Sequence, residues 1–191
     1  VLSVGSEFVM DAMKKPLAMG ADRLLLVDDI GLDKLDSAAT VKVLAAAIEK
    51  DGPFDLILGG RQASDWDQGH VTLGLAEILG LPLVSLVQKL ELNDDSISLQ
   101  RVITDGYQVV SAPIPSVLTI TNELGEPRYP NLRGIMQASR KKPDVFTLAD
   151  LGLSSEDLTP KLELKKLYIP ESNQQVELIE GEDEADSGRK L

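Results

Sequence analysis

Cysteine is absent from this 191-residue chain, which excludes disulfides, iron–sulfur clusters, cysteine-based zinc sites and thiol catalysis. Aromatic residues make up only 4% of the sequence, so its core has to be built from Leu, Val, Ile and Ala. The longest apolar runs fall well short of the roughly 18 residues that a membrane-spanning helix needs. We therefore expect no direct membrane insertion.

Positive charge is also scarce, since 19 basic residues against 31 acidic ones give a formal net charge of −12. Such a chain repels the phosphate backbone, so nucleic acid is not an expected partner. Small nucleotides stay possible, because local backbone dipoles rather than net charge bind them. With one histidine, no Gly-x-Ser-x-Gly elbow and no regular spacing of metal ligands, the sequence indicates neither a catalytic residue set nor a metal site.

The first 80 residues predict three strands that alternate with three helices. Apolar strand-like runs are VLSVG, RLLLVDD and FDLILGG, and helical spacing follows each of them. Continuous apolar strands between helices are typical of a parallel sheet covered on both faces. The chain opens on Val1 directly in the first run, from which we expect that an N-terminal strand and helix are missing from the sequence.

The pattern changes after residue 80 to strands separated by short turns. Asn93-Asp94-Asp95 and Asp105-Gly106 are hairpin signals, so we expect an antiparallel meander, with SVLTIT returning to the main sheet. A short helix, LRGIMQASRKK, follows. The expected fold class is therefore α/β, a doubly wound and mainly parallel sheet with an antiparallel hairpin addition.

The C-terminal part lacks clear hydrophobic periodicity and ends in the acidic segment ELIEGEDEADSGRKL. This segment cannot bury itself alone, so it is either disordered or packed on a partner. We divide the chain into a nucleotide-binding domain, residues 1–153, and an extended C-terminal arm, residues 154–191, that packs on a partner subunit.

The stretch LGGRQASDWDQGHV, residues 58–71, follows a predicted strand and leads into a predicted helix. Glycines at the carboxyl end of such a strand let backbone N–H groups approach a phosphate, and a helix N-terminus adds positive potential. Arg61 could pair with the phosphate, and Asp65 or Asp67 could accept from a ribose hydroxyl. The alternative is an ordinary tight turn in which one aspartate caps the helix.

Three further features have both a functional and a purely structural interpretation. Gly5-Ser6 follows the first strand and either contacts a nucleotide or caps the next helix. His70 either touches a ligand or is an ordinary first-turn residue. The apolar face of Leu132, Ile135 and Met136 is either core or an exposed patch that docks a partner.

Taken together, these segments resemble the beta subunit of electron transfer flavoprotein. The motifs that carry the resemblance are PLAMGADRLLLVDD, DLILGGRQASDWD, LQRVITDGYQVVSAPIPSVLTIT and GEPRYPNLRGIM, in this order. The resemblance runs from residue 1 to about residue 153. It implies a fold similar to the adenine nucleotide alpha hydrolases and an electron carrier subunit rather than an enzyme.

The resemblance also implies cofactors and partners. The chain would form a heterodimer with an alpha subunit, and redox FAD would be held mainly by alpha and shared with beta. The beta site would hold a structural AMP or, in bifurcating members, a second FAD reduced by NADH. The implied nucleotide site consists of the following residues: Val4, Gly5, Gly60, Arg61, Gln62, Ala63, Asp65, Asp67, His70 and Val71.

The implied docking segment for acyl-CoA-type or other flavin dehydrogenases holds Leu132, with Ile135 and Met136 on the same face. Among the residues that depart from the family pattern, His70 stands where Gln is common, and Trp66 replaces a small or acidic residue. A stand-alone adenine-nucleotide-binding or hydrolysing domain is the alternative from another class. The expected location is the bacterial cytoplasm, with the mitochondrial matrix as the alternative.

Overall fold

The computed structural model describes residues 1–171 and 178–190. In the first part, strands and helices alternate as predicted. They are β1 (Leu2–Gly5), α1 (Met10–Met13), α2 (Lys15–Ala18), β2 (Leu25–Asp28), α3 (Ser37–Asp51), β3 (Leu56–Gly60) and α4 (His70–Leu79). The first predicted helix is broken at Lys14, because the ring of Pro16 clashes with the preceding turn and lacks an N–H.

The second part contains the predicted meander. Its elements are β4 (Leu83–Leu92), β5 (Ser96–Ile103), β6 (Gly106–Pro113), β7 (Ser116–Ile120), α5 (Leu132–Arg140), β8 (Asp144–Phe146) and α6 (Glu184–Lys190). β5 pairs antiparallel with β4 and with β6, and β7 returns between β3 and β4, parallel to both. The predicted hairpins and the predicted return to the sheet are therefore confirmed.

Two elements of the C-terminal part were not predicted from the sequence. β8 pairs parallel with β2 although it follows Pro143 directly and is only three residues long. α6 forms within the acidic segment and buries none of its residues. Residues 172–177 and 191 of the predicted arm lie outside the described residues.

The fold class is confirmed as α/β with parallel strands and an antiparallel addition, but the strands form two sheets instead of one. The order is β1-β2-β8 in the first sheet and β3-β7-β4-β5-β6 in the second. β1 and β3 are both edge strands, because each has a hydrogen-bonded neighbour on one side only. The sequence pattern cannot distinguish one continuous sheet from two separate sheets, because every parallel strand has the same pattern of a buried apolar run.

Helix α3 connects the two halves of the fold. Its first turn is capped by Asp36, whose side chain accepts a hydrogen bond from the backbone N–H of Ala39 at 2.8 Å. Val43 lies in the core over Val27 of the first sheet. Residues on another face of α3, Val41 among them, pack against Leu75 of α4. A separate core lies on the second sheet, formed by Val84, Val87, Ile97, Leu99, Ala112 and Leu118.

Candidate functional site

The loop that follows β3 borders a cavity of about 440 Å³ at the carboxyl end of the strand. This is the position at which open α/β sheets bind ligands. Gly59 and Gly60 end the strand, the chain passes through residues 61–69, and α4 begins at His70. Loop and helix residues that line the cavity are Gly59, Gly60, Arg61, Gln62, Ala63, Gln68, Gly69, Val71, Thr72 and Leu75.

The two glycines at the end of β3 have different surroundings. A Cβ added to Gly59 would lie 2.1 Å from Oγ1 of Thr72, so only glycine lets α4 pack this closely on the strand. A Cβ added to Gly60 would meet nothing within 4 Å. The backbone at Gly60 therefore faces open space, where a ligand can approach the main chain closely.

Hydrogen bonds within the loop hold its ends together. Nε2 of Gln62 donates to Oδ1 of Asp67 at 2.9 Å, and the N–H of Ala63 donates to the carbonyl of Gln68 at 3.0 Å. The hydroxyl of Ser37, at the start of α3, donates to Oε1 of Gln68 at 2.6 Å. The loop is thus closed on itself and attached to the neighbouring helix.

The N-terminus of α4 points its positive pole toward this loop. Its N-cap residue, Gly69, provides no side-chain hydrogen bond to the first turn. Neither Asp65 nor Asp67 caps the helix: Asp65 accepts from the N–H of Trp66 at 2.9 Å, and Asp67 accepts from Gln62. The capping interpretation is therefore wrong, and among residues 1–171 and 178–190 no side chain caps this helix end.

A second loop brings a carboxylate toward Arg61. Glu123, just after β7, has its pKa held below the usual range by hydrogen bonds from the Thr121 hydroxyl and from its own backbone N–H, and to a lesser extent by the positive charge of Arg61. Glu123 is therefore ionised at neutral pH. Arg61 itself lines the cavity, and its guanidinium is a group that can pair with an anionic ligand.

The cavity brings together only part of the predicted nucleotide site. Gly60, Arg61, Gln62, Ala63 and Val71 line it, whereas Asp65 and Asp67 belong to the outer part of the loop. Val4 and Gly5, at the end of β1, are not among its lining residues, although Val1 and Leu2 of the same region are.

Ser6 does not cap a helix, whereas His70 is the exposed first-turn residue of the structural interpretation. Ser6 donates to Oδ1 of Asp33 at 3.3 Å and caps no helix, because the N-cap of α1 is Val9. His70 is the first residue of α4 and borders another cavity, of about 420 Å³, together with Asp36 and Leu162.

Sequence reasoning missed several lining residues. Thr72 is the third residue of α4, and its hydroxyl lies 3.4 Å from the carbonyl oxygen of Gly60. Gln68 and Gly69 were part of the quoted stretch but were not assigned to the site. The sequence signal that could have indicated this close contact is a glycine at the end of a strand, Gly59, together with a small residue, Thr72, in the first turn of the following helix.

The apolar face of α5 is exposed. Asn131 caps this helix by accepting from the N–H of Gly134 at 2.8 Å. Leu132 is 81% exposed, and Ile135 and Met136 are 48% and 58% exposed. The core interpretation of this face is therefore wrong for the described structure, whereas Ala138, farther along α5, is buried with Leu17 of α2.

No helix within residues 1–171 and 178–190 combines the length and apolarity needed to cross a membrane. In the same part of the chain, no group of three or more His, Asp and Glu side chains is arranged to hold a metal ion.

A family model described as the electron transfer flavoprotein domain matches residues 1–151. The chain is 35% identical over 182 residues to the electron transfer flavoprotein subunit beta of Bacillus subtilis (strain 168), covering 95% of this chain and 70% of the relative. It is 38% identical over 159 residues to the corresponding subunit of Thermoanaerobacterium thermosaccharolyticum, covering 83% of this chain and 61% of the relative.

A third relative is the Caffeyl-CoA reductase-Etf complex subunit CarD of Acetobacterium woodii, with 36% identity over 156 residues, 82% of this chain and 60% of the relative. The chain thus spans between 60% and 70% of the length of these curated relatives. The family model covers most of the chain. The chain belongs to the electron transfer flavoprotein family, among its beta subunits.

Proposed function

We propose that this chain binds AMP in the cavity beside the loop of residues 61–69 and works as the beta subunit of an electron carrier. The observation that carries the proposal is the geometry at the end of β3. There, the open backbone at Gly60, the guanidinium of Arg61 and the uncapped N-terminus of α4 converge on one cavity of about 440 Å³. This volume is within the range of small-molecule sites, which is roughly 300–1,000 Å³.

The residues present fit an adenine nucleotide. A phosphate would accept hydrogen bonds from the backbone near Gly60 and from the first turn of α4, and it would pair with Arg61. Val71 and Leu75 give the cavity an apolar wall against which a base can pack. Gln62 and Asp67 hold the loop in this shape through their mutual hydrogen bond.

The redox chemistry would come from FAD, which accepts and donates electrons when bound and which we assign mainly to an alpha subunit. The role of this chain is to pack against that subunit and to present a docking surface. The exposed face of Leu132, Ile135 and Met136 supports the second role, because isolated apolar patches of this kind on a soluble surface mark protein contacts. We propose flavin dehydrogenases of the acyl-CoA type as the docking partners, and the bacterial cytoplasm as the location.

A second candidate is a beta subunit that carries FAD, reduced by NADH, in place of AMP. The observation that favours it is the similarity to a subunit of a caffeyl-CoA reductase-Etf complex. The same cavity would hold the adenine end of that FAD, so the residue roles given for the phosphate would not change.

The experiment is to purify the complex of this chain with its alpha subunit, denature it, and identify and count the released nucleotides by mass spectrometry. One AMP and one FAD per heterodimer are expected, whereas two FAD molecules would establish the second candidate. If the chain purifies alone and releases no adenine nucleotide, the proposal fails.

Arg61→Gln gives a residue-level test of the same site. Loss of a charge-assisted hydrogen bond, worth about 1.5–3 kcal/mol, should lower nucleotide affinity about tenfold or more. Arg133→Gln, on the exposed surface of α5, is the matched control and should keep wild-type nucleotide content. Equal nucleotide content in both variants would remove Arg61 from the site.

A further inference from the structure

Helix α5 carries two rows of residues that have different surroundings. Leu132 and Met136 are four positions apart and exposed, whereas Gly134 and Ala138 form a second row with the same spacing. Because each residue of an α-helix turns by about 100°, the second row lies about 200° around the helix from the first. It meets the segment around α2, where Ala138 is buried with Leu17. We call the exposed residues Leu132, Ile135 and Met136 the docking face.

Gly134 lets α5 approach α2 closely. A Cβ added there would lie 2.6 Å from the carbonyl oxygen of Ala18, the last residue of α2. Real Cβ atoms are essentially never found within 3.0 Å of another heavy atom, so a larger residue would push α5 away. Glycine is also among the least favourable residues inside a helix. Since the φ of Gly134 is not left-handed, the close approach is the reason for glycine at this position.

Two lysines attach the other end of α5 to the same segment. The carbonyl of Ser139 is among the last four of the helix, which have no partner within it. Nζ of Lys14 donates to this carbonyl at 2.9 Å, and its charge is favourable at a helix C-terminus. Nζ of Lys141 donates to the carbonyl oxygens of Asp22 at 2.8 Å and Ala21 at 3.3 Å. Both ends of α5 are therefore fixed on residues 14–22.

We propose that Gly134 and Lys14 are positioning residues, which fix the orientation of α5 so that the docking face fits a partner dehydrogenase. This inference rests on the docking role proposed above. Neither residue belongs to the docking face: Gly134 lies against Ala18, and the Lys14 amine is bonded to Ser139. An exposed anchor adds affinity only when it enters its pocket on the partner, so a shifted helix keeps its apolar area and loses the fit.

The burial of α5 shows why such contacts are needed. All nine residues of α5 are described, and Ala138 is the one that is buried. A helix held at a single buried residue can pivot about that point. Gly134 on one side of Ala138 and the Lys14 bond to Ser139 on the other prevent this pivoting. The core contact thus attaches the helix, and the two flanking contacts orient it.

The experiment uses the purified heterodimer of this chain with its alpha subunit. Butyryl-CoA dehydrogenase, with butyryl-CoA as its reductant, is the electron donor, and the flavin absorbance of the heterodimer reports the transfer. Gly134→Ala should raise the KM for the heterodimer about tenfold, since a displaced anchor loses much of its contribution to an interface. Its kcat and flavin content should equal those of the wild type, because the redox groups are untouched.

A set of lysine variants tests the second contact without adding bulk between the helices. Lys14→Met removes the bond to Ser139 and should raise KM about threefold, as expected for one exposed hydrogen bond. Lys15→Met removes the same charge at the next, exposed position and should keep the wild-type KM. Lys14→Arg keeps a donor and should also keep it. Equal increases in Lys14→Met and Lys15→Met would show an effect of charge and overturn the positioning role of Lys14.

Leu132→Ala separates a failure of this inference from a failure of the docking role. A wild-type KM in Leu132→Ala would refute docking itself. A raised KM in that variant, with wild-type values in Gly134→Ala and Lys14→Met, would refute positioning alone. A loss of flavin or of kcat in Gly134→Ala and Lys14→Met would show a structural role and also overturn the proposal. If Gly134→Ala does not assemble with alpha, the lysine variants decide the outcome.

Discussion

The carboxylate of Asp36 accepts a hydrogen bond from the backbone N–H of Leu162 at 3.0 Å, across 126 positions of sequence. The N–H of Lys161 donates to the same oxygen, and the other oxygen accepts from the N–H of Ala39 at 2.8 Å. The side chain of Asp36 thus caps α3 and also binds the backbone of the C-terminal arm at Lys161 and Leu162.

Replacing this carboxylate should have a local and a distant effect. Asp36→Ala should lower the free energy of unfolding by about 1 kcal/mol through loss of the helix cap. The variant should also free the segment that follows Lys161, because the hydrogen bonds to Asp36 are lost. Faster backbone hydrogen exchange in that segment measures this effect. Asp33→Ala is the control, because Asp33 accepts from the Ser6 hydroxyl at 3.3 Å. Unchanged exchange after Lys161 in the Asp36 variant would contradict the anchoring role.

The same residue should make stability depend on pH in the acid range. The pKa of Asp36 lies below its usual range, mainly because of the hydrogen bond from Ala39, opposed by partial burial and helped by the N–H groups of Lys161 and Leu162. A lowered folded-state pKa adds stability above the unfolded value, near 3.9, and this stability is lost as pH falls through the folded value.

The wild-type chain and Asp36→Asn should therefore converge in unfolding free energy as pH falls from about 6 to about 3. Urea denaturation at each pH measures this convergence. A constant difference across that range would show that the charge of Asp36 adds nothing to stability.

The glycine pair at the end of β3 should separate folding from binding. Gly59→Ala would bring a methyl group within 2.1 Å of Oγ1 of Thr72, so it should destabilise the fold by about 1–3 kcal/mol. Gly60→Ala has free space around the new methyl group and should keep wild-type stability. It should nevertheless reduce nucleotide content, since the methyl group would stand where the phosphate approaches. Thermal unfolding and nucleotide analysis of both variants measure these effects.

Leu132→Ala should slow electron transfer from a partner dehydrogenase while leaving stability and flavin content unchanged. Its side chain is 81% exposed, and exposed positions away from special contacts usually change stability by less than about 0.5 kcal/mol. Leu92→Ala, an exposed leucine on β4, is the control for a general loss of apolar surface. A loss of flavin in the Leu132 variant would instead indicate a structural role.

The sequence predicted those parts of the fold that depend on local patterns. Strand and helix order up to His70 follows from apolar periodicity, and the hairpin at Asp105-Gly106 follows from turn chemistry. β8 was missed because three residues after a proline carry no periodic signal. The division into two sheets depends on which edges find partners, which is a tertiary property.

The candidate site could likewise be predicted only where its residues follow from local sequence patterns. Gly60 and Arg61 could be assigned to a cavity because they directly follow a strand. Thr72 could not, since its contact with Gly59 depends on how closely α4 packs on that strand. His70 borders a different cavity from the one beside Gly60, because the C-terminal segment with Leu162 returns to the start of α3.

Helix α3 has a consequence for how the molecule unfolds. One of its faces belongs to the core around Val27, and another packs on Leu75, so neither half of the fold can lose α3 without exposing apolar surface in both. The two sheets share no backbone hydrogen bonds in the described structure, but the shared helix should couple their melting, because small domains usually unfold in one cooperative transition. The shape of the loop of residues 61–69, attached to α3 through Ser37, is therefore linked to the half of the molecule that does not border it.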